Sequence, residues 1–360
     1  MPRLVLEVSA SAALLRLCVA RAANRNTRVD EPIPLRDAAQ RFGVKLDRLR
    51  RAAWDGRLAA RQVGNQWLVA PSEVARFLRE GRRRSPSLTH DPALQGDAMP
   101  RIISVAVPKG GTGKTTTTLN MGAALAEQGQ RVLLVDFDPQ GNLTLSLGVR
   151  PGDLEHTAYS AITYFLTRFE PQLDLAIRPT GAGVDLVPAS ARLNLANDEL
   201  AVAIQREYVL QKLLAPLAPR YDFILIDTLP YLGVLVVNAL TAAHEVIIPL
   251  QAEYLATESV ALILDQIQLM RRSGLNRDLA ITGILLTMID QRTVINREAI
   301  TYARTVFGSQ VHIFDTMIKR SVRFPESQAS HQSILHYDPA GEGARAYRAL
   351  AEEVLHARQA

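Results

Sequence analysis

The sequence predicts an α/β protein with a doubly wound, mainly parallel sheet that is preceded by a small basic domain. Beyond residue 100, short apolar runs alternate with amphipathic stretches of helix length, as in parallel strands that are joined by crossover helices. The runs are rich in Val, Ile and Leu and show little polar alternation, which is typical of strands buried on both faces. The predicted strands are 102–107, 131–136, 184–188, 223–227, 245–250 and 281–288.

Composition favours a cytoplasmic protein of two or three domains. The chain has 360 residues, of which 48% are hydrophobic and 21% charged, so a sizeable core can form. Its one cysteine, Cys18, excludes an internal disulfide framework and indicates a reducing compartment. No apolar run approaches the ~20 residues that span a bilayer, and Glu7 and Arg16 interrupt the apolar N-terminal stretch. We therefore expect neither export nor a membrane helix.

Positive charge is concentrated near the N-terminus. Residues 1–100 contain 18 Lys and Arg against 10 Asp and Glu, so they carry a net charge of +8, and the remaining residues carry −3 of the overall +5. This asymmetry points to an anionic partner for the N-terminal region, with nucleic acid as the first candidate. The polar segment 82–99 has two prolines, one glycine and no apolar periodicity, and is interpreted as a linker.

A glycine-rich sequence, 107-VPKGGTGKTTTT-118, follows the first predicted strand and precedes a predicted helix over 115–128. In a strand–loop–helix unit of this kind, backbone amides and the positive end of the helix bind phosphate oxygens. We expect Lys114 to contact the β and γ phosphates and the Thr115 hydroxyl to contact Mg2+. The predicted nucleotide-binding residues are Lys109, Gly110, Gly111, Thr112, Gly113, Lys114, Thr115 and Thr116.

The start of this loop differs from the usual pattern G-x-x-x-x-G-K-[ST], because Pro108 takes the place of the first glycine and Lys109 adds a second lysine. KGGTGKTT resembles the deviant Walker A signature of the ParA/MinD ATPases. The resemblance continues through VLLVDFDPQGN, YDFILIDTLPYLG, EVIIPLQAEYLA, GILLTMIDQRT and ILHYDPAGEGARAYRALAEEVL, and it covers nearly all of 101–360. It implies a homodimer with ATP held between the protomers, in which Lys109 of each protomer reaches the phosphates bound by the other.

Three aspartates are expected beside the phosphates. Asp136 ends a strand next to the strand before the loop, where a carboxylate can hold Mg2+ or its waters, and Asp227 ends the run FILID as a Walker B aspartate does. The resemblance gives Asp138 the role of orienting the attacking water. The predicted catalytic residues are therefore Lys109, Lys114 and Asp138, and the predicted metal ligands are Thr115, Asp136 and Asp227.

Other features separate this chain from related classes. No N-K-x-D sequence is present, so ATP is favoured over GTP, and Cys18 lies outside the ATPase region, so an iron–sulfur cluster at a dimer interface is not expected. Glu352 and Glu353 interrupt the C-terminal helix, which we expect to pack against its own domain and not on a membrane as in MinD. Leu229 stands where the family usually has the first of two prolines after the Walker B aspartate, so this loop is expected to respond to nucleotide differently.

Residues 33–78 form a compact, basic pattern. LRDAAQRF predicts one helix, Gly43 a turn and KLDRLRRAAWDG a second helix, and RQVGNQWLV predicts a hairpin that turns at Gly64-Asn65. This order resembles the winged helix-turn-helix of excisionases and MerR-type regulators, in which the second helix enters the major groove. A solvated basic face without a ligand is the alternative for this surface. The predicted DNA contacts are Lys45, Arg48, Arg51, Arg57 and Arg61.

These observations divide the chain into an unassigned N-terminal extension (1–27), a winged helix-turn-helix domain (28–81), a linker (82–99) and a P-loop ATPase domain (100–360). The resemblance implies ATP-dependent DNA partition: a dimer with ATP and Mg2+ binds DNA on the nucleoid and is released on hydrolysis, which a ParB-like partner stimulates. The alternative is a transcription regulator in which nucleotide sets the geometry of a dimer on its operator with little turnover. One protein can combine both functions.

Overall fold

The computed structural model describes residues 32–46, 49, 52–53, 58–63, 66–80, 99–251, 257–290 and 292–357. The chain separates into two compact units, Met1–Gly96 and Asp97–Ala360, and each has its own hydrophobic core. The boundary lies inside the predicted linker. The predicted extension 1–27 and all of the linker except Met99 lie outside the described residues.

The first unit contains a three-stranded antiparallel sheet and helices that pack on it. Its elements are β1 (Ile33–Pro34), α1 (Leu35–Phe42), β2 (Ala60–Val63), β3 (Gln66–Val69) and α2 (Pro71–Glu80), and the strand order is β1-β3-β2. Helix α1 ends at Gly43, whose φ of 63° suits a residue without a side chain. Leu49 and Ala53 from the predicted second helix are helical and buried in the same core. The predicted first helix and the two strands of the predicted hairpin are confirmed, and the predicted turn at Gly64-Asn65 lies outside the described residues.

The second unit is a seven-stranded sheet with helices on both faces. Its strands, in the order β10-β9-β4-β8-β5-β7-β6, are all parallel except for the antiparallel edge pair of β6 and β7. The elements are β4 (Arg101–Val105), α3 (Lys114–Glu127), β5 (Val132–Phe137), α4 (Asn142–Ser146), α5 (Ala158–Arg168), β6 (Arg178–Pro179), β7 (Asp185–Val187), α6 (Ala196–Ala201), α7 (Val209–Leu214), β8 (Phe223–Thr228), α8 (Val234–Ala242), β9 (Glu245–Gln251), α9 (Thr257–Ser273), β10 (Ala280–Thr287), α10 (Val294–Phe307), α11 (Arg323–Ala329), α12 (Ile334–Tyr337) and α13 (Glu342–His356).

All six strands that the apolar runs predicted are present, so the predicted fold class is confirmed. The two-residue edge strands β1 and β6 were missed, because a pair of residues that ends in proline leaves no apolar pattern. The chain leaves β4 toward β5 on one side and later returns to place β9 on the other side. In doubly wound sheets, ligands bind at the carboxyl ends of the strands beside such a reversal. The topology therefore places the candidate site after β4.

The sheet is buried on both faces, as its apolar composition predicted. Along β5, Leu133 and Val135 join the core beneath α5, α7, α8, α9 and α10, whereas Val132 and Leu134 join the core beneath α3 and α13. The inward face of α13, which includes Tyr347, is buried in the second of these cores. This agrees with the expectation that the C-terminal helix packs on its own domain. Across the described part of the chain, no helix is long and apolar enough to cross a membrane.

Helix α3 approaches the sheet closely at Gly122. A Cβ added there would lie 2.6 Å from Leu134 Cδ2 and 3.4 Å from Leu225 Cδ1. Protein interiors are close-packed, so this contact leaves no room for a larger side chain. Since α3 begins directly after the glycine-rich loop, the contact fixes the position of the loop relative to the strands.

We predict that Gly122→Leu lowers the free energy of unfolding by roughly 1–3 kcal/mol, because the added side chain overpacks a filled core. Gly152→Leu is the matched control, since nothing lies within 4 Å of a Cβ at Gly152, and it should change stability by less than about 0.5 kcal/mol. Urea denaturation of both variants measures the difference. Equal effects at the two positions would contradict the close approach of α3.

Candidate functional site

The glycine-rich loop joins the end of β4 to the start of α3. Gly111 and Gly113 have φ of 75° and 87°, a region that only glycine occupies without strain. Helix α3 begins at Lys114, and its N-cap, Gly113, provides no side-chain cap. Gly110 and Gly111 are exposed. The first-turn amides of such a helix attract anions, so this loop has the geometry of a phosphate site.

The side chain of Lys114 folds back over the glycine-rich loop. Its Nζ donates a hydrogen bond to the carbonyl oxygen of Lys109 at 2.7 Å, and the residue is only 7% exposed. Burial lowers the pKa of the Lys114 ammonium, and the nearby carboxylates of Asp227 and Asp138 oppose this shift. A desolvated ammonium held beside an uncapped helix start interacts strongly with a phosphate oxygen. Lys109 itself is half-buried at the start of the loop.

Asp227 and Thr115 form the candidate magnesium site. The Thr115 hydroxyl donates a hydrogen bond to Asp227 Oδ2 at 2.7 Å. Asp227 is completely buried, and its other oxygen, Oδ1, has no hydrogen-bond partner. Burial, together with the charge of Asp136, raises the pKa of Asp227 well above its usual range. An unsatisfied buried carboxylate oxygen beside a threonine hydroxyl fits a hydrated divalent cation, whose ligands are oxygens.

Asp136 lies next to Asp227, because the two residues are register partners on β5 and β8. Its Oδ2 accepts hydrogen bonds from the Thr144 amide at 2.8 Å and the Thr144 hydroxyl at 2.6 Å, and its Oδ1 accepts one from the Asp138 amide at 3.3 Å. Burial raises the pKa of Asp136 to about 6, although these hydrogen bonds oppose the shift. Both oxygens are thus engaged by the chain itself. This arrangement favours contact with the waters of a bound ion over direct ligation.

Asp138 occupies the turn that follows β5. Its Oδ1 accepts a hydrogen bond from the Gln140 amide at 2.9 Å, and its carbonyl accepts one from the Gly141 amide at 2.9 Å. The positive φ of Gly141, 65°, lets the chain turn directly into α4. Asp138 is 7% exposed and close enough to Lys114 for their charges to interact. The fold therefore gathers Lys114, Thr115 and the three predicted aspartates at one edge of the sheet.

A cavity of about 300 Å3 adjoins the loop, and apart from Gly113 and Thr116 the residues that line it were not predicted from the sequence. It begins at Gly113 and Thr116, and the Gln328 side chain donates a hydrogen bond to the Thr116 hydroxyl at 3.2 Å. The aromatic rings of Phe324 and Tyr347 meet edge to face in its wall, with centroids 5.9 Å apart. The remaining walls are contributed by Thr287, Met288, Ile318, Lys319, Arg320, Ser321 and Pro325. Size and lining suit a planar base attached to the phosphates.

The predicted DNA contacts of the first unit are only partly described. Lys45 and Arg61 are exposed. Arg48, Arg51 and Arg57 lie outside the described residues, so their predicted role stays a prediction. Trp67, in the hairpin, packs against the core of this unit.

Comparisons with known proteins agree with this geometry. The AAA domain family matches residues 100–281, and the helix-turn-helix domain family matches residues 35–82. The sporulation initiation inhibitor protein Soj of Bacillus subtilis is 41% identical over 71% of this chain and 98% of that protein. This chain belongs to the ParA/MinD family of ATPases. The chromosome partitioning protein ParA of Myxococcus xanthus is also 41% identical, over 71% of this chain and 88% of that protein.

This ParA-family chain is also similar to a protein whose solved structure contains bound ligands. It is named cobyrinic acid a,c-diamide synthase from Mycobacterium smegmatis and contains an ATP analog and magnesium. The two chains share 37% identity with a TM-score of 0.63, over 72% of this chain and 96% of the other.

We predict that Asp227→Asn stabilises the ParA-family chain in EDTA without nucleotide. The pKa of Asp227 is raised in the folded state, so ionisation of this residue favours the unfolded chain. Its contribution to stability is present at acid pH and is lost as pH rises through the unfolded and then the folded pKa. The melting temperature of the variant should therefore equal that of wild type near pH 3.5 and exceed it at pH 8.

Asp222→Asn is the control with the opposite sign. Burial raises the pKa of Asp222, but the hydrogen bonds and charge of Arg131 outweigh burial and hold this pKa below its usual value. Ionised Asp222 therefore stabilises the folded chain, and Asp222→Asn should lose stability above about pH 4. Melting curves between pH 3.5 and pH 8 measure both effects. A lower melting temperature for Asp227→Asn at pH 8 would contradict the uncompensated charge.

Proposed function

We propose that this chain is a magnesium-dependent ATPase that drives DNA partition. The names of its ParA and Soj relatives support partition, and the fit of the site to Mg2+ and a nucleoside triphosphate supports the ATPase activity. The observation that carries the proposal is the unsatisfied Asp227 Oδ1, buried beside Thr115 and Lys114 at an uncapped helix start. A structural loop has no need for such a costly arrangement.

The residues of the loop bind and orient ATP in this proposal. The loop amides and the Lys114 ammonium hold the β and γ phosphates, and the adjoining cavity takes the base between Met288, Phe324 and Tyr347. Thr115 and Asp227 would hold Mg2+, which would neutralise negative charge on the phosphates. Burial of Lys114 and Asp227 strengthens the electrostatic contacts that these two side chains make.

Two residues are proposed to act in steps that follow ATP binding to a single protomer. Asp138 lies in a tight turn beside Lys114 and orients the attacking water by accepting its hydrogen bond. Lys109 reaches the phosphates bound by a second copy of the chain, so the site is complete only in a homodimer. ATP then favours the dimer because it binds the paired protomers more tightly than separate ones.

DNA is the proposed partner of both units. The helix-turn-helix domain reads a specific sequence through Lys45, Arg48 and Arg51, with Arg57 and Arg61 on phosphates. In the ATPase unit, Arg297 and Arg304 are exposed and seven residues apart, so they lie on one face of α10. Arg271 and Arg272 in the last turn of α9 are weaker candidates, since Arg271 Nε donates to the Leu279 carbonyl at 2.8 Å.

The proposed cycle places the protein on the nucleoid in the cytoplasm. A ParB-like protein stimulates a weak intrinsic hydrolysis and so releases the dimer from DNA. The helix-turn-helix unit also favours a second function, nucleotide-gated regulation of the chain's own operon. Turnover separates the two, because a regulator needs little ATP hydrolysis even with DNA and its partner present.

The two lysines provide the direct test of the proposed site. Lys114→Ala should weaken ATP binding to a single protomer by roughly 1.5–3 kcal/mol, because a charge-assisted contact to phosphate is lost. Lys109→Ala should leave that affinity nearly unchanged but prevent the ATP-induced dimer, hydrolysis and nonspecific DNA binding. Calorimetry gives the affinity, and light scattering with a nonhydrolysable analogue gives the mass.

Lys212→Ala is the matched control, because this exposed lysine on α7 lies outside the loop and the cavity and donates a hydrogen bond to the Gln205 side chain. It should behave as wild type in both measurements. Full dimerisation of Lys109→Ala, or a loss of ATP affinity as large as that of Lys114→Ala, would show that Lys109 acts within its own protomer.

Removal of residues 1–99 should abolish sequence-specific DNA binding but retain ATP-dependent binding to any duplex, because the two units have separate cores. In the truncated protein, the double variant Arg297→Ala, Arg304→Ala should weaken this binding and reduce its salt dependence, since fewer counterions are released. Arg168→Ala, an exposed residue in the last turn of α5, should not. Footprinting and salt titrations report the two activities, and an unchanged footprint after truncation would exclude the domain assignment.

A further inference from the structure

The segment 136–144 is closed on itself by hydrogen bonds. It begins at the end of β5 with Asp136, carries Asp138 in its turn and ends at Thr144 in α4. The amides of Asp138 and Thr144 both donate to the Asp136 carboxylate, one to each oxygen. The Asp138 amide is therefore held by the Asp136 carboxylate, whereas its carbonyl is held by the Gly141 amide.

The Thr144 hydroxyl holds that carboxylate from behind. It donates a hydrogen bond to Asp136 Oδ2 at 2.6 Å and accepts one from the Ala189 amide at 3.0 Å. Thr144 has no exposed surface. The Ala189 amide donates to a lone pair of the Thr144 hydroxyl oxygen, so the single hydrogen of this hydroxyl is free to point to the Asp136 carboxylate. The hydrogen bond from Ala189 links the segment 136–144 to the residues that follow β7.

Removal of this hydroxyl would affect Asp138 more than ATP binding. The contact between Asp138 and Asp136, 3.3 Å, is the longest of the three that the carboxylate makes with the chain. A carboxylate that loses its shortest contact can rotate, and the longest contact is then the first to break. Thr144 lies neither in the glycine-rich loop nor in the wall of the cavity, so the residues proposed to contact the nucleotide keep their partners, and Asp136 is the site residue that loses one.

We propose that Thr144 is a positioning residue for ATP hydrolysis, acting through Asp136 to fix the loop that carries Asp138. This inference rests on the proposed function, in which Asp138 orients the attacking water. Thr144 contributes to turnover through its hydroxyl and makes no contact with nucleotide. A valine at this position would have the same shape as threonine but neither a donor nor an acceptor, so it would not support turnover in this way.

The test compares Thr144→Val with Thr144→Ser in the full chain, with DNA present. Thr144→Val should lower kcat about 10-fold or more, the usual effect of losing a group that orients a site residue, with ATP affinity and ATP-induced dimerisation unchanged. Thr144→Ser, which keeps the hydroxyl, should restore most of the turnover. Thr144→Ala removes the same hydroxyl with less bulk and replaces Thr144→Val if that variant does not fold.

Thr241→Val controls for the loss of any buried hydroxyl. Thr241 is 1% exposed on α8, and its hydroxyl has no hydrogen-bond partner. Its variant should match wild type in kcat and ATP affinity. Melting temperatures separate stability from turnover, and kcat is expressed per folded site. A variant at Thr144 that lowers only the melting temperature, or that lowers ATP affinity as Lys114→Ala does, would overturn the positioning role.

Asp138→Ala separates this inference from the proposed function. It should bind ATP, dimerise and fail to turn over. If Asp138→Ala still hydrolyses ATP, both the role of Asp138 and the inference about Thr144 are wrong. If Asp138→Ala is inactive but Thr144→Val keeps the wild-type kcat, the inference alone is wrong.

Discussion

Buried charge at the carboxyl edge of the sheet is the constraint on which the ATPase unit depends. Asp136 and Asp227 are register partners on adjacent strands and have no exposed surface, and Asp138 lies close by. Lys114 partly offsets the charges of Asp227 and Asp138. Burial disfavours ionisation of Asp136 and Asp227, so the pKa values of these two carboxyl groups are raised. Donors from the loop and from α4 partly compensate, and a bound cation would complete the compensation.

The remaining architecture keeps these charges in place. The strand order brings the ends of β4, β5 and β8 together at the reversal of the sheet. The absence of a side chain at Gly122 lets α3 pack closely on the strands. Gly111 and Gly113 allow the glycine-rich loop to turn without strain. A phosphate site of this kind needs rigid support, because small displacements of charged groups change their interaction energies strongly in a medium of low dielectric constant.

The C-terminal helices extend this support to the far side of α3. Asn120 donates from Nδ2 to the Thr116 carbonyl at 2.8 Å and accepts at Oδ1 from the Ile334 amide at 2.7 Å. Gln328 contacts the Thr116 hydroxyl, and Tyr347 lies 3.4 Å from the Thr117 hydroxyl. The first turn of α3 is therefore tied to segments more than 200 residues later in the chain. This explains physically why the resemblance to the ParA/MinD ATPases continues almost to the C-terminus.

The sequence by itself determined the fold class, the strands and the identity of the phosphate loop, because apolar runs and glycine spacing are local properties of the chain. It also predicted that the three aspartates lie at or just after the ends of two strands. Because these strands are parallel, their carboxyl ends lie at the same edge of the sheet. Only the tertiary structure decided which contacts each carboxylate makes: Asp136 with Thr144, and Asp227 with Thr115. The base cavity had no signature in the sequence, because its walls come from separate segments that include Gly113, Met288, Phe324 and Tyr347. Those residues meet through packing of helices on the sheet, and such packing depends on pairs far apart in the chain.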